Sequence, residues 1–311
     1  MTERGLAARA VFPPEEVAAV KAVACELPST EGVPLSRFSR AELHRLVIER
    51  ALTEASASTI WRWLSNDALR PWQQRSWVFP RDPGFEAKAA RVLDLYEGRW
   101  EGKLLHPGEF VISADEKTQL QALGRKHATL APAPGRPMLV EHEYRRGGTL
   151  AYLAALDIGR RGKSSRRPRI FGRCEPRAGK DPFDRLVDQV MTQEPYASAK
   201  RVFWVVDNGS SHAGQASIER LEGRFENLVL VHLPVHASWL NQIEIYFSIL
   251  QRKALTPNDF PSLAALEERI LGFQDHWQRV AEPFEWNFTR RDLAALMAKL
   301  SAREPQLRLA A

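Results

Sequence analysis

The chain has 311 residues, of which 44% are hydrophobic and 26% are charged. This globular composition excludes a disordered protein and suggests about two domains, at roughly 150 residues each. The 44 Lys and Arg exceed the 38 Asp and Glu, and the net charge of +6 raises nucleic acid as a partner, although net charge alone is weak evidence.

The first 35 residues are predicted to form one helix and a linker. The helix is expected after Pro13 and Pro14, and the Pro, Ser and Gly residues of 28–36 are typical of a linker. The N-terminus is charged and has no apolar stretch suited to a signal or a membrane span, so we expect a cytoplasmic protein with no membrane partner. Cys25 and Cys174 lack metal-binding spacing, which argues against a zinc site or a disulfide framework.

Residues 36–80 have the pattern of two short helices joined by a tight turn. Ser39 and Glu42 form an S-x-x-E capping box, followed by apolar residues at helical spacing. The second helix is predicted to bury one face, made of Ile60, Trp63 and Leu64. Its outward residues are the predicted DNA contacts Ser58, Thr59 and Arg62. The pair resembles an all-α helix-turn-helix DNA-binding region, although a small helical bundle has the same pattern.

The segment ALRPWQQRSWVFPRDPGF interleaves aromatic and basic residues. Because arginine commonly binds phosphate through two nitrogen atoms, we predict that Arg70 and Arg75 contact the DNA backbone. Packing is the better explanation for the tryptophans. Residues 81–109 are predicted to be a connecting helix and linker, with the helix at about 85–96.

From residue 110 the pattern changes to alternating strands and helices. Strands are predicted at 110–116, 149–158, 167–175, 201–207 and 227–234. Helices are predicted at about 182–192, at about 215–224 and from about 241. This order predicts an α/β ribonuclease-H-like catalytic core over 110–290, a mixed five-stranded sheet with flanking helices. Residues 124–148 are expected to be an insertion after the first strand, and 291–311 a C-terminal helical tail.

Three acids stand where this fold would bring them together. Asp115 and Asp207 each end an apolar run, so both carboxylates are expected at an edge of the sheet, and Glu244 lies in a helical pattern. Hard oxygen donors are what Mg²⁺ or Mn²⁺ requires, and two such ions can activate attack on a phosphodiester. We therefore predict that the three acids are catalytic metal ligands.

The acids also have plainer interpretations. Asn241-x-x-Glu244 is a capping pattern, in which the glutamate would only satisfy backbone donors at a helix start. Glu116 should point away from Asp115, because side chains alternate along a strand. Asp157, at the end of the second predicted strand, is a rival ligand that the pattern leaves open.

Two other features near the acids are predicted to support the site or to contact DNA. His212 follows the Asp207 turn and is interpreted as a supporting residue. A basic run between the second and third predicted strands is interpreted as a phosphate-binding loop, with a solvated hairpin tip as the alternative. The members of this run are Arg160, Arg161, Lys163, Arg166, Arg167 and Arg169.

The sequences ADEKT, VVDNGSSH and HASWLNQIEIYFSILQRK resemble the three catalytic blocks of DDE transposases, in the bacterial insertion-sequence branch of the Tc/mariner superfamily. STIWRWLSNDALRPWQQRSWVFPRDP is similar to the segment that joins the DNA-binding region to the catalytic core in that branch. The resemblance covers most of 36–290. It implies a DDE triad at Asp115, Asp207 and Glu244, two Mg²⁺ or Mn²⁺ ions per active site, and a supporting role for Asn241.

The same resemblance implies a reaction and its partners. Water would first nick double-stranded DNA at the terminal inverted repeats of an element, and the freed 3′-hydroxyl would then attack target DNA at TA dinucleotides. A bacterial, nucleoid-associated location and a homodimer in the DNA complex are compatible with this. Family members usually carry two helix-turn-helix units, whereas one is clear here. The alternatives are a metal-dependent nuclease without strand transfer and a non-catalytic DNA-binding protein derived from a transposase.

Overall fold

The computed structural model describes residues 12–30, 32–74, 82–160, 165–209, 212 and 214–308, with the backbone alone for 303–308. The chain divides into two compact units, Met1–Val78 and Phe79–Ala311. Three of the predicted DNA contacts lie outside the described residues: Arg75, Arg161 and Lys163. In the described part of the chain, no helix is both long and apolar enough to cross a membrane.

The first unit contains three short helices, α1 (Pro14–Cys25), α2 (Arg40–Glu49) and α3 (Ala57–Asn66). The predicted capping box is confirmed, because the Ser39 hydroxyl accepts from the Glu42 N–H and the Glu42 carboxylate accepts from the Ser39 N–H. The predicted inward face of α3 is also confirmed, since Ile60 and Leu64 are buried with residues of α1 and α2.

Trp72 packs inside the first unit, as predicted for the tryptophans of this segment. Its ring centroid lies 4.7 Å from that of Trp61. The guanidinium of Arg40 lies 3.4 Å from the Trp61 ring centroid and 4.9 Å from that of Trp72. These cation–π contacts join the start of α2 to α3 and to the segment that follows it.

The second unit is built on a five-stranded sheet with helices on its faces. A small hairpin comes first, made of β1 (Arg99–Trp100) and β2 (Lys103–Leu104). The sheet strands are β3 (Glu109–Arg125), β4 (Tyr144–Asp157), β5 (Arg169–Glu175), β6 (Arg201–Val206) and β7 (Leu228–His232). The helices are α4 (Phe85–Tyr96), α5 (Lys180–Met191), α6 (Gln215–Glu222), α7 (Ile243–Lys253), α8 (Leu263–Val280) and α9 (Arg290–Arg308).

The strand order is β5-β4-β3-β6-β7. The first three strands of the sheet pair antiparallel, whereas β6 and β7 run parallel to β3. Side chains alternate between two cores, so that Phe203 packs on one face with Tyr246 of α7 and Trp204 packs on the other with Phe183 of α5. The predicted ribonuclease-H-like α/β fold is confirmed.

The insertion predicted at 124–148 is shorter in the structure. β3 continues to Arg125 and β4 begins at Tyr144, so Gly124 lies within β3 opposite Arg145, whereas Gly147 and Gly148 of β4 fall at a register shift. A Cβ on Gly124 would lie 3.3 Å from the Cα of Pro261. This glycine therefore permits a close approach of two backbone segments instead of ending the strand.

The β1–β2 hairpin was missed in the linker predicted at 81–109. Glu101 and Gly102 both have positive φ, of 49° and 78°. Two consecutive residues with positive φ are typical of the two-residue turns that join hairpin strands. The Glu-Gly pair between RW and KL was therefore the available signal, although two-residue strands are too short to recognise by alternation.

Candidate active site

Asp115 lies where β3 extends past the end of β6. The register pairs Ser113 with Val205, and β6 ends one residue later, immediately before Asp207. Since β3 and β6 are parallel neighbours, Asp115 and Asp207 emerge at the same edge of the sheet. Asp115 is buried, with 8% of its surface exposed.

Asn241 fixes the segment before α7 to the same part of β3. Its side-chain nitrogen Nδ2 donates to the Ala114 carbonyl at 3.0 Å and approaches Asp115 Oδ2 at 3.4 Å. Its Oδ1 accepts a hydrogen bond from the Ser113 hydroxyl. The Ser113 oxygen in turn accepts from the Ile243 N–H at 2.8 Å, so β3 satisfies a backbone donor at the start of α7.

Glu244 is the second residue of α7, and Gln242 occupies the N-cap position. The side chain of Asn241 forms hydrogen bonds with β3 and does not cap α7, so the interpretation of Asn241 and Glu244 as a capping pair is wrong. The Tyr96 hydroxyl accepts from the Gln242 N–H at 3.4 Å and thereby joins α4 to the same turn. Glu244 is left exposed to solvent.

Asp207 is held by two donors from the loop that follows it. Its Oδ1 accepts from the Gly209 N–H at 2.7 Å and from His212 Nε2 at 2.5 Å. His212 is fully buried, and His232 Nε2 donates to its backbone carbonyl at 2.7 Å. These contacts hold His212 beside Asp207. Both donors bind Oδ1 of Asp207, and neither binds Oδ2.

Glu116 belongs to the same charged cluster, which strand alternation did not predict. Its Oε1 lies 3.9 Å from His212 Nδ1, on the opposite side of the imidazole from Asp207. The Glu116 N–H also donates to Asp115 Oδ1 at 2.7 Å. The irregular course of β3, which has register shifts between Lys117 and Leu120, lies directly after this residue.

The carboxylates influence one another's protonation. Burial, followed by the charge of Asp207 and then by Glu116 and Glu244, raises the pKa of Asp115 to about 7. Burial and the Asp207 charge also raise the pKa of Glu244, against the opposing effect of Lys117. The hydrogen bond from His212 holds the pKa of Asp207 below its ordinary value. The three predicted acids therefore form one electrostatically coupled cluster.

Among the described residues, no group of three or more His, Cys, Asp or Glu side chains is arranged to hold a metal ion. The chemistry of the donors nevertheless fits Mg²⁺ or Mn²⁺, because carboxylate oxygens are the ligands that these ions prefer. The raised pKa of Asp115 also reflects crowded negative charge that a cation would neutralise. Ligation by all three carboxylates would require their side chains to turn toward a common point.

Asp157, the rival ligand, is the last residue of β4 and is enclosed by its neighbours. It is fully buried and accepts hydrogen bonds from the Tyr196 hydroxyl at 2.9 Å, from Arg166 Nη2 at 3.0 Å and from the Gly159 N–H at 3.0 Å. Its cross-strand partner is Ile112, whereas that of Asp115 is Ala154. These contacts give Asp157 a structural role in the loop that follows β4.

The basic loop between β4 and β5 lies next to Asp157. Arg160 donates to the backbone carbonyls of residues 105, 106 and 109. Arg166 is paired with Asp157, and Arg169 donates to the Glu194 carbonyl. Arg167 is 70% exposed and lies 3.9 Å from Glu282. The described residues of the loop are therefore anchored inside the second unit, and the contact of the loop with DNA stays a prediction.

The predicted DNA contacts of the first unit lie at its surface. Ser58 and Arg62 are exposed on α3 and Thr59 is half-buried, with Arg62 Nη2 donating to the Thr59 hydroxyl at 3.1 Å. Arg70 is also exposed and lies 3.4 Å from the side-chain oxygen of Gln73. Their contact with DNA stays a prediction.

Comparisons with solved structures find weak similarity to mariner transposases. A Mos1 mariner paired-end complex with Mn has 16% identity and a TM-score of 0.48, covering 86% of this chain and 78% of that chain. A Mos1 transposase paired-end complex with left transposon end has 14% identity and a TM-score of 0.49, covering 94% and 80%. A Mos1 strand transfer complex has 16% identity and a TM-score of 0.48, covering 94% and 79%. A search of curated proteins finds no match.

The family profile described as DDE superfamily endonuclease matches residues 111–267. This range is half of the chain, and it contains Asp115 on β3, Asp207 after β6 and Glu244 on α7. The chain belongs to the DDE superfamily of endonucleases.

Proposed function

We propose that this protein is a transposase of the bacterial insertion-sequence branch of the Tc/mariner superfamily, which cleaves and joins DNA with Asp115, Asp207 and Glu244. The observation that carries the proposal is the carboxylate cluster inside a DDE endonuclease domain, in which burial and then the charges of Asp207 and Glu244 raise the pKa of Asp115. Like charges in one cluster repel one another and destabilise the fold, and a bound cation would offset that repulsion.

Asp115, Asp207 and Glu244 would hold two Mg²⁺ or Mn²⁺ ions. When bound, such ions activate the attacking oxygen and neutralise the charge that develops on the phosphate and the leaving oxygen. His212 and the Gly209 N–H orient Asp207. Asn241 ties α7, and with it Glu244, to the strand that carries Asp115. These residues therefore set the spacing of the three carboxylates.

Each of the two units would have its own role in binding DNA. The exposed residues of α3 would read the terminal inverted repeats, and the catalytic unit would carry the cleaved end to target DNA, at TA dinucleotides. The exposed Ser58 and Arg62 and the surplus of basic residues support this division of labour. A homodimer would bring two element ends together.

The test is cleavage of duplex DNA that carries the ends of the element flanking the gene. The wild type should cut in Mg²⁺ or Mn²⁺ and not in EDTA, whereas Asp207→Asn and Glu244→Gln should each lose at least about a hundredfold in rate, about 2.7 kcal/mol of transition-state stabilisation. Asp188→Asn is the matched control, because this acid of α5 pairs with Arg224 away from the cluster. Unchanged cleavage by either cluster variant would refute the assignment of the acids.

A second assay separates a transposase from a nuclease. Pre-cleaved ends with a free 3′-hydroxyl are incubated with a target plasmid, and joined products are sequenced for their position relative to TA. Joining would support the transposase. Cleavage without any joined product would support a metal-dependent nuclease that lacks strand transfer.

A further inference from the structure

A cavity of about 670 Å³ lies in the second unit, apart from the carboxylate cluster. Its walls come from the end of α4, the β1–β2 hairpin, the start of β3, the loop after β4 and the segment 283–287 between α8 and α9. The lining residues that bear on its chemistry are Tyr96, Glu109, Arg160, Arg166, Phe284 and Trp286. Its volume is within the range of ordinary ligand sites.

Two buried N–H donors in the cavity lining are unsatisfied. Within the part of the chain that the structure describes, Arg166 Nε and Trp286 Nε1 have no hydrogen-bond partner. Buried donors of this kind are rare, since each costs about 1–3 kcal/mol when it is left unpaired. Both atoms are donors with almost no accessible surface, so a ligand would pair with them only by presenting acceptors after these side chains turn toward the cavity.

The cavity lining carries the guanidinium groups of Arg160 and Arg166 and the carboxylates of Glu97, Glu109 and Glu285. Asp157 is paired with Arg166 at 3.0 Å, and Glu109 is paired with Arg201 at 2.6 Å. Arg160 adds a third guanidinium, which donates only to backbone carbonyls in the bonds described above. Burial and the neighbouring Arg166 lower the pKa of Arg160. An anionic ligand would relieve both the burial of this charge and the repulsion between the two arginines.

The opposite wall is aromatic. The Trp286 ring packs edge to face on Tyr96, with centroids 5.2 Å apart, and Phe284 lies beside it in the lining. Aromatic side chains next to cations are the usual platform for a nucleobase and its phosphate, since every base has a face that stacks. An aromatic wall and a cationic wall in one cavity therefore match a nucleotide better than a simple anion.

Two residues of the cavity lining, Val111 and Gln242, lie near Asp115 and Glu244 along the chain. Val111 precedes Asp115 by four strand residues, about 13 Å at about 3.3 Å per residue. Gln242 lies one residue before α7 and two before Glu244.

We propose that this cavity binds one nucleotide, with its base against Phe284 and Trp286 and its phosphate toward Arg160 and Arg166. The nucleotide is either a free nucleoside 5′-monophosphate or an unpaired nucleotide of a DNA strand. Binding of either one uses no residue of the carboxylate cluster, so the proposal does not depend on DNA cleavage.

The experiment measures binding to the full-length protein in EDTA by titration calorimetry. The probes are 5′-dAMP, deoxyadenosine, inorganic phosphate and a short single-stranded oligonucleotide. Trp286→Phe keeps an aromatic ring, although a smaller one, and removes the indole N–H, and it should weaken binding about tenfold, which corresponds to about 1.4 kcal/mol. Arg160→Gln should weaken the probes that contain phosphate and leave deoxyadenosine unchanged.

Arg167→Gln is the matched control, because it removes an equal charge from the same loop at an exposed position outside the cavity lining. It should bind as the wild type does. Asp207→Asn should also retain binding, which separates this site from the proposed catalysis. Thermal melting confirms that each variant is folded, and Trp286→Phe provides the test if Arg160→Gln is not.

The results distinguish the two sources of nucleotide. Binding of 5′-dAMP that Trp286→Phe weakens and Arg167→Gln does not would support a site for free nucleotide. The same pattern with the oligonucleotide alone would support an unpaired nucleotide of DNA. Equal binding of both probes by the wild type and Trp286→Phe, or equal losses in Arg160→Gln and Arg167→Gln, would overturn the proposal.

Discussion

Asp115 and Glu109 are buried carboxylates on the same strand, and neutralising each should have opposite effects on stability. The perturbations are Asp115→Asn and Glu109→Gln, which preserve side-chain size and remove the charge. Glu109 is 2% exposed and is bound by Arg201 and by the His106 N–H. Asp115 lies among like charges. Glu109→Gln should therefore destabilise the metal-free protein, and Asp115→Asn should stabilise it.

The magnitude for Asp115 follows from its pKa. Burial and Asp207 raise that pKa from 3.8 to about 7. The shift of about three units corresponds to about 4 kcal/mol, at about 1.4 kcal/mol per unit, as an upper limit above pH 7. Because the folded pKa is the higher one, the penalty is absent below the unfolded pKa and grows as the pH rises to about 7. Asparagine does not titrate, so the gain from the substitution should grow over the same range.

The charge of Glu109 has the opposite effect on the pH dependence of stability. Burial alone would raise its pKa, but the His106 N–H and Arg201 outweigh burial, so the net pKa lies below its ordinary value. Its ionised form therefore stabilises the fold above the unfolded pKa, and that stability is lost as the pH falls through the folded pKa. Glu109→Gln should show its full loss at neutral and alkaline pH.

The assay is urea unfolding in EDTA at about pH 5 and about pH 8, followed by repetition in Mg²⁺. Asp115→Asn should gain more stability at the higher pH, by about 2–4 kcal/mol relative to wild type. Added Mg²⁺ should stabilise the wild type and leave the variant unchanged, because the variant lacks a ligand. A variant that is less stable than wild type at both pH values would refute the electrostatic reasoning.

Two further substitutions test how the site is built. Asn241→Ala removes the partner of the buried Ser113 hydroxyl and of the Ala114 carbonyl, so it should lower the free energy of unfolding in urea by about 2–4 kcal/mol and reduce DNA cleavage. A loss below about 1 kcal/mol would show that these hydrogen bonds do not fix α7 to β3. Gly172→Ala would place a Cβ in steric conflict with the Tyr152 hydroxyl, so it should lower the free energy of unfolding by about 1–3 kcal/mol, and adding Tyr152→Phe should recover part of that loss. An unchanged stability of Gly172→Ala would indicate that β4 and β5 separate easily.

Much of the fold could be predicted because its elements have strong local patterns. The capping box at Ser39 and the apolar run before Asp207 each have one physical explanation, and the structure has a helix and a strand there. The ends of β3 and β4 were misjudged, because 124–148 was interpreted as an insertion, although Gly124 lies within β3 and permits a contact with Pro261, far along the chain. Patterns of neighbouring residues contain no information about such contacts.

The candidate site was predicted in part for the same reason. An apolar run precedes both Asp115 and Asp207, which made the two acids recognisable, although β3 continues past Asp115 to Arg125 and only Asp207 follows the end of its strand. The pattern around Glu244 fitted both a cap and a ligand, and the choice required the side chain of Asn241, which binds β3. Glu116 was set aside by strand alternation, yet it lies 3.9 Å from His212.

The sequence by itself determined most of the helices and strands, their order and the acids that follow apolar runs, because hydrophobic periodicity and capping act over a few residues. Only the tertiary structure decided the burial, the neighbouring charges and hence the pKa of those acids. The pKa of Asp115 depends on charges contributed by the end of β6 and by α7. The cavity beside Arg166 and Trp286 likewise exists only where residues more than a hundred positions apart meet. Electrostatic coupling and unsatisfied donors are properties of distances through space, which the order of residues does not specify.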